Sequence, residues 1–282
     1  MATEAVPVQA QGAAAENFAV CVARPARRPG LIRPLVILGL VVLAGLCWGC
    51  LLLYPLQLAP QEMARVAGTA AVTQAASLPF GPGDALLAFA MWVVTVTAVL
   101  LPATAPLVLL FATVSRLHHL VRFPGLATAV FVLGNLVAWS GFALLAALAQ
   151  WALHDTGALD SGMALANTTA TGLLLVAAGA WQWTPGKHGS LEHCRSPLSF
   201  VLAGWRPGFA GALRMGVSHG LHAIGCCWAL MLLLFATGVM NLPAMAAIAA
   251  LLAGEKLLPG GALLACVGGL ALVALGTYVL FP

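Results

Sequence analysis

A chain of 282 residues that is 62% hydrophobic and only 7% charged is not a soluble globular domain, in which about a quarter of residues are charged. The net charge of +4 does not mark a nucleic-acid binder, because its placement follows a membrane topology. Nor do seven cysteines, several of them inside apolar runs, read as a secreted disulfide framework.

Residues 1–30, "MATEAVPVQAQGAAAENFAVCVARPARRPG", are small, polar and aperiodic, which predicts a disordered cytoplasmic tail. The positive charges come late and the following apolar run is too long for a signal core, so the first span is retained. Residues 31–282 then form one all-α, polytopic transmembrane domain. Seven apolar segments are predicted, at 34–54, 86–110, 126–150, 164–183, 216–236, 239–253 and 261–281. Pro102 and Pro106 predict a kink in the second. The sixth is short, so six spans plus a re-entrant segment is the alternative count.

Placing the N-terminus inside puts eleven of the twelve basic residues in cytoplasmic stretches and leaves Arg65 outside. The outer loop "HDTGALDS" has two aspartates and no basic residue. The bias toward Ala, Gly and Leu suits a bacterial protein, so the expected location is a bacterial inner membrane, N-in, with the lipid bilayer as solvent. The longest cytoplasmic segment, 184–215, is too small for a catalytic domain, and no Walker loop, dinucleotide fingerprint or HExxH occurs. Any chemistry belongs to side chains in or beside the membrane.

The candidate donors follow in chain order. "CWGC", Cys47 to Cys50, puts two thiols on one face of the first span, as a thiol site or as small packing residues. "TPGKHGSLEHCRSP" places His193 and Cys194 where a soluble donor can hand over a metal. The alternative there is an interfacial segment whose Lys187 and Arg195 meet lipid headgroups. On the fifth span, Met215, His219, His222 and Cys226 share an arc of about 60° at helical spacing. Thioether, imidazole and thiolate suit Cu(I) best, and Cu(II) or Zn(II) less well. Cys227 lies about 100° from Cys226, so the vicinal thiols point apart on a regular helix. "GVMNLPAM" adds Met240, Asn241 and Met245 at the start of the sixth span, as ligands or as packing.

"GWRPGFAGALRMGVSHGLHAIGCCWALMLLLFATGVMN" and "EKLLP", with the His193–Cys194 stretch before them, resemble a bacterial family of predicted metal-binding integral membrane proteins of unknown function. The resemblance is strong over about 180–260 and weaker over "MWVVTVTAVLLPATAP". It implies metal binding through Cys, His and Met, with members sometimes labelled copper-related. Ser190 stands where the family pattern has a cysteine, and "HGLHAIGCCW" carries His222 and Ala223 where the pattern has Tyr-Cys. Val99 and Leu100 replace methionines.

Three functions compete at this stage. A metal-handling membrane protein would use His219, His222, Cys226, Cys227, Met215, Met240, His193 and Cys194 to bind, deliver or transport copper, with a membrane-bound copper enzyme as partner. A non-catalytic scaffold subunit would use the same face for packing, with Asn135, Asn167 and Asn241. An intramembrane enzyme ranks last, since no catalytic triad or carboxylate pair lies within the spans.

Overall fold

The computed structural model describes residues 32–67, 82–117, 123–160, 163–239 and 241–281. The expected disordered tail, 1–30, lies outside these residues, as does Met240. Among the described residues the regular structure is helical, beyond an isolated bridge between Leu159 and Leu165. In chain order the helices are α1 (Ile32–Ala67), α2 (Pro82–Leu117), α3 (Pro124–Asp155), α4 (Thr168–Trp181), α5 (Pro185–Arg195), α6 (Pro197–Ala203), α7 (Gly208–Thr237), α8 (Leu242–Leu257) and α9 (Gly261–Leu280).

Five of them, α1, α2, α3, α7 and α9, contain stretches long and apolar enough to cross a bilayer. That is the pattern of a multi-pass membrane protein. The fourth and sixth predicted segments become α4 and α8, of 14 and 16 residues. At 1.5 Å per residue these are about 21 and 24 Å long, against a hydrocarbon core of about 30 Å. Asn167 and Asn241, considered above as polar packing or near-ligand residues, start these two helices. The Asn167 Oδ1 accepts from the backbone N–H of Thr169 at 2.8 Å, and the Asn241 Oδ1 accepts from Ala244 at 3.1 Å.

The segment expected at 184–215 is not a loop. It folds into α5, α6 and the first turns of α7. Thr184 caps α5 by accepting from the Lys187 N–H at 3.3 Å, with Pro185 in the first turn, where its missing N–H costs nothing.

Two close helix pairs frame the bundle. α3 and α7 meet at Gly134, Gly216 and Gly220, where a Cβ on Gly216 would strike the Phe131 carbonyl. α4 and α9 meet at Gly172 against Gly276 and at Gly179 against Gly269. Small residues let backbones approach where lipid supplies no hydrophobic drive. α2 packs between α1 and α3 and runs unbroken through Pro102 and Pro106, with the Thr104 hydroxyl donating to the Leu101 carbonyl at 3.1 Å. α5 and α8 both pack against α7, so the inner core lies around the middle of α7, at Cys226, Cys227 and Leu230.

Candidate metal centre

α5 docks on α7 through one face. Lys187, Leu191 and Cys194 follow at helical spacing, and the first two are buried. Opposite them, Gly225 leaves room for Ser190, whose Oγ would lie 2.7 Å from a Cβ built there. This seam brings two pairs of candidate donors together. The His193 and His222 rings stack with centroids 4.0 Å apart and planes 11° from parallel. One turn along α7, Cys194 packs beside Cys226, whose sulfur lies 3.0 Å from that of Cys227. Cys226 and Cys227 are fully buried, Cys194 is half-buried and His193 is exposed.

The vicinal thiols therefore do not point apart as the helical angle predicts. Their rotamers bring the sulfurs into contact as free thiols. Cys226 is the middle member of a row of three sulfurs.

The local chemistry favours the ligating form at His222, His193 and Cys194. His222 Nδ1 lies 2.7 Å from the Ser218 carbonyl. A carbonyl only accepts, so Nδ1 carries the proton and the Nε2 lone pair is left free. Burial, and then His222 opposite, hold the His193 imidazole below its ordinary value, so it is neutral at pH 7. The Cys194 thiol is shifted below its ordinary value, first by the Cys226 thiol beside it and then, against the effect of burial, by the nearby Lys256 ammonium. A thiolate is the form that ligates.

Beneath the sulfurs lies a buried polar network that the sequence did not announce. The Lys187 Nζ donates to Glu255 Oε2 at 2.6 Å and to the Cys226 carbonyl at 2.7 Å. Gln182 Nε2 donates to Glu255 Oε1 at 3.1 Å. Lys187, Glu255 and Gln182 are all 0% exposed. Arg195 donates to the carbonyls of Glu255, Leu258 and Pro259 at the α8–α9 turn. Lys187 thus does not face lipid headgroups, and Arg195 is half-buried against a helix end. Lys256 is buried without a regular hydrogen bond and faces the three thiols. Its neighbour Glu255 in "GEKLLP" was the available signal, since a charge at the end of an apolar helix needs a partner.

The other predicted donors lie apart. His219 sits between Phe200 and Phe131, with ring centroids at 5.6 and 6.4 Å. Met215 packs in the apolar cluster of Leu107, Phe111 and Phe131. On α1, Cys47 is buried in the core cluster with residues of α2, whereas Cys50 is exposed. Among the described residues no three His, Cys, Asp or Glu side chains surround one point as a ready metal cage. Stacked imidazoles explain part of this, because ring lone pairs lie in the ring planes and two parallel planes do not converge.

The family profile described as PpoB2, copper chaperone, matches residues 89–279, well over half of the chain. The chain belongs to the PpoB2 copper chaperone family. The match runs from α2 to α9 and includes the whole α5–α7 seam. No curated protein and no solved structure matches the chain. PpoB2 membership implies copper handling and delivery to a partner, with copper as cargo. It also gives the two departures from the resembled pattern a place. Ser190 lies over Gly225 in the seam, and Ala223 is fully buried on α7 one turn before Cys227.

Proposed function

We propose that the protein binds Cu(I) at the α5–α7 seam in the inner membrane and hands it to a membrane-bound copper enzyme. The observation that carries this reading is the registration of His193–Cys194 on α5 with His222–Cys226 on α7. The exposed His193 and the half-buried His222 receive the ion. Cys194 and Cys226 then bind it through two thiolate sulfurs as their protons leave, with Cys227 as a third sulfur in reach. Two thiolates and one Cu(I) carry a net negative charge, which the Lys256 ammonium offsets in a low-dielectric setting. Copper is favoured over zinc because a row of sulfurs suits two-coordinate Cu(I), whereas Zn(II) takes four ligands in a tetrahedron. In this reading α4 and α8 cross as shortened members of a seven-segment, N-in bundle. His219 and Met215 act deeper in the protein, and Met240 is a further candidate thioether outside the described residues. Chaperoning requires ligand exchange and no catalysis.

The test is metal content by mass spectrometry after loading with Cu(I) or Zn(II) under reducing conditions. We expect near-stoichiometric copper in the purified wild type and loss of most of it in Cys194→Ser/Cys226→Ser. Wild type that retains no copper after desalting sinks the proposal. A second reading, a metal-free scaffold subunit, is favoured by the stacked, non-convergent imidazoles. It requires the double variant to lose a membrane partner while metal content stays at background in both.

A further inference from the structure

Of the buried charges beneath the sulfur row, Lys187 and Glu255 cancel. They form an ion pair at 2.6 Å, and Gln182 occupies the second carboxylate oxygen. That leaves Lys256, next in sequence to Glu255. It stands in the last turn of α8, the helix that packs against both α5 and α7. Lys256 is 8% exposed, and its Nζ is buried without a regular hydrogen bond. The groups opposite it are the thiols of Cys194, Cys226 and Cys227. Among the described residues no salt bridge holds it, because the neighbouring carboxylate is already taken. A buried cation with no anion beside it is costly, and helix packing does not call for one. An apolar side chain of the same length would fill the space without that cost. The charge is therefore present for what the thiols hold.

Resting on the copper reading above, we propose that Lys256 selects the charge of the bound ion, fitting the site to monovalent Cu(I) and Ag(I) over divalent ions held by the same two thiolates. A monovalent ion between Cys194 and Cys226 makes a complex with one net negative charge, which the single ammonium balances. A divalent ion between the same two sulfurs makes a neutral complex and leaves the ammonium as isolated as before. The ammonium also repels each arriving ion, and doubling the charge of the ion doubles that repulsion. Water would screen both effects at a surface, but Cys226 and Cys227 are fully buried. Lys187 adds little to the discrimination, since its pair with Glu255 has no net charge. Nor does Lys256 act as a ligand, because an ammonium has donors and no lone pair. It is a selectivity residue that works through the field at the sulfurs.

The experiment uses the full-length protein in detergent with a thiol-free reductant. In the parent, Cys21, Cys47, Cys50, Cys227 and Cys266 are replaced by alanine, so that Cys194 and Cys226 are its remaining thiols. Cys227 is removed because a divalent ion on three thiolates would reach the same net charge as Cu(I) on two. Affinities for Cu(I), Ag(I) and Hg(II) are read by competition with soluble chelators, and X-ray absorption counts the sulfurs. Hg(II) serves as the comparison because it also takes two thiolates in line. Lys256→Met should lower affinity for Cu(I) and Ag(I) by about tenfold or more, and leave that for Hg(II) unchanged or raised. Lys256→Arg should keep the preference of the parent. Equal losses for all three ions overturn the proposal, since they mark a structural role, and so do unchanged affinities for all three. Metal-free Lys256→Met should melt no lower than the parent, because it removes a cation without a partner. A lower melting temperature overturns the proposal as well. Lys256→Gln gives the same readings if the methionine variant does not fold. A parent that binds no Cu(I) removes the functional reading and this inference with it, whereas the outcomes above, in a parent that binds Cu(I), bear on Lys256 alone.

Discussion

Lys187 is the residue on which the seam depends. It is fully buried and ties α5 to α8 through Glu255 and to α7 through the Cys226 carbonyl. Removing one partner of a buried ion pair leaves an uncompensated charge, at a cost of about 3–5 kcal/mol. Lys187→Met should therefore lower the melting temperature in detergent strongly, and Lys187→Met/Glu255→Leu should recover much of it. Equal melting of the single and double variants would show that the pair is not the anchor. Ser190 tests the site in the opposite direction. Its Oγ occupies the space a side chain at Gly225 would need, next in sequence to Cys226, so Ser190→Cys adds a sulfur to the row. Cu(I) affinity in competition with a chelator should rise by about tenfold or more, following the preference of Cu(I) for thiolate. Unchanged affinity would place that position outside the ligand shell.

At the scale of elements, the α3–α7 contact carries the geometry. A Cβ at Gly216 meets the Phe131 carbonyl and the Asn135 backbone N–H, groups that belong to helix backbone and cannot swing aside. Gly216→Val should separate α3 from α7, loosen the packing around His219 and give a polydisperse protein on size exclusion. A monodisperse variant of wild-type stability would contradict that account. The long helices were legible from apolar runs, since α2, α3, α7 and α9 overlap the predicted segments. The 184–215 segment was not, because its polar residues satisfy one another. Lys187 reads as a surface cation until Glu255, 68 positions away, is known to face it. The face-sharing of His219, His222 and Cys226 was also legible from helical spacing. What spacing could not show is that three helices divide that face. α5 takes His222 and Cys226, whereas α3 and α6 enclose His219.

Across the whole molecule, the charges fall into two groups with different physics. Arg24, Arg27, Arg28 and Arg33 at the start, and Arg116 and Arg122 after the second segment, follow the asymmetry that orients membrane proteins. Lys187, Lys256 and Arg195 were counted with them, yet they point inward to a carboxylate, to thiols and to a helix end. A count of basic residues does not separate the two groups, although the inward one builds the candidate centre.

The short helices have a consequence for the surrounding lipid. α4 and α8, at about 21 and 24 Å, fall short of the hydrocarbon thickness that α2, α3 and α7 exceed. In the proposed seven-segment bundle, lipid beside α4 and α8 thins, and the penalty grows with acyl-chain length. The turn from α8 to α9, held by Arg195, is drawn toward the headgroups in a thin bilayer and buried in a thick one. Copper release from proteoliposomes should accordingly be faster in short-chain than in long-chain phosphatidylcholine. Rates independent of chain length would show that the bundle shields its short helices from the bilayer.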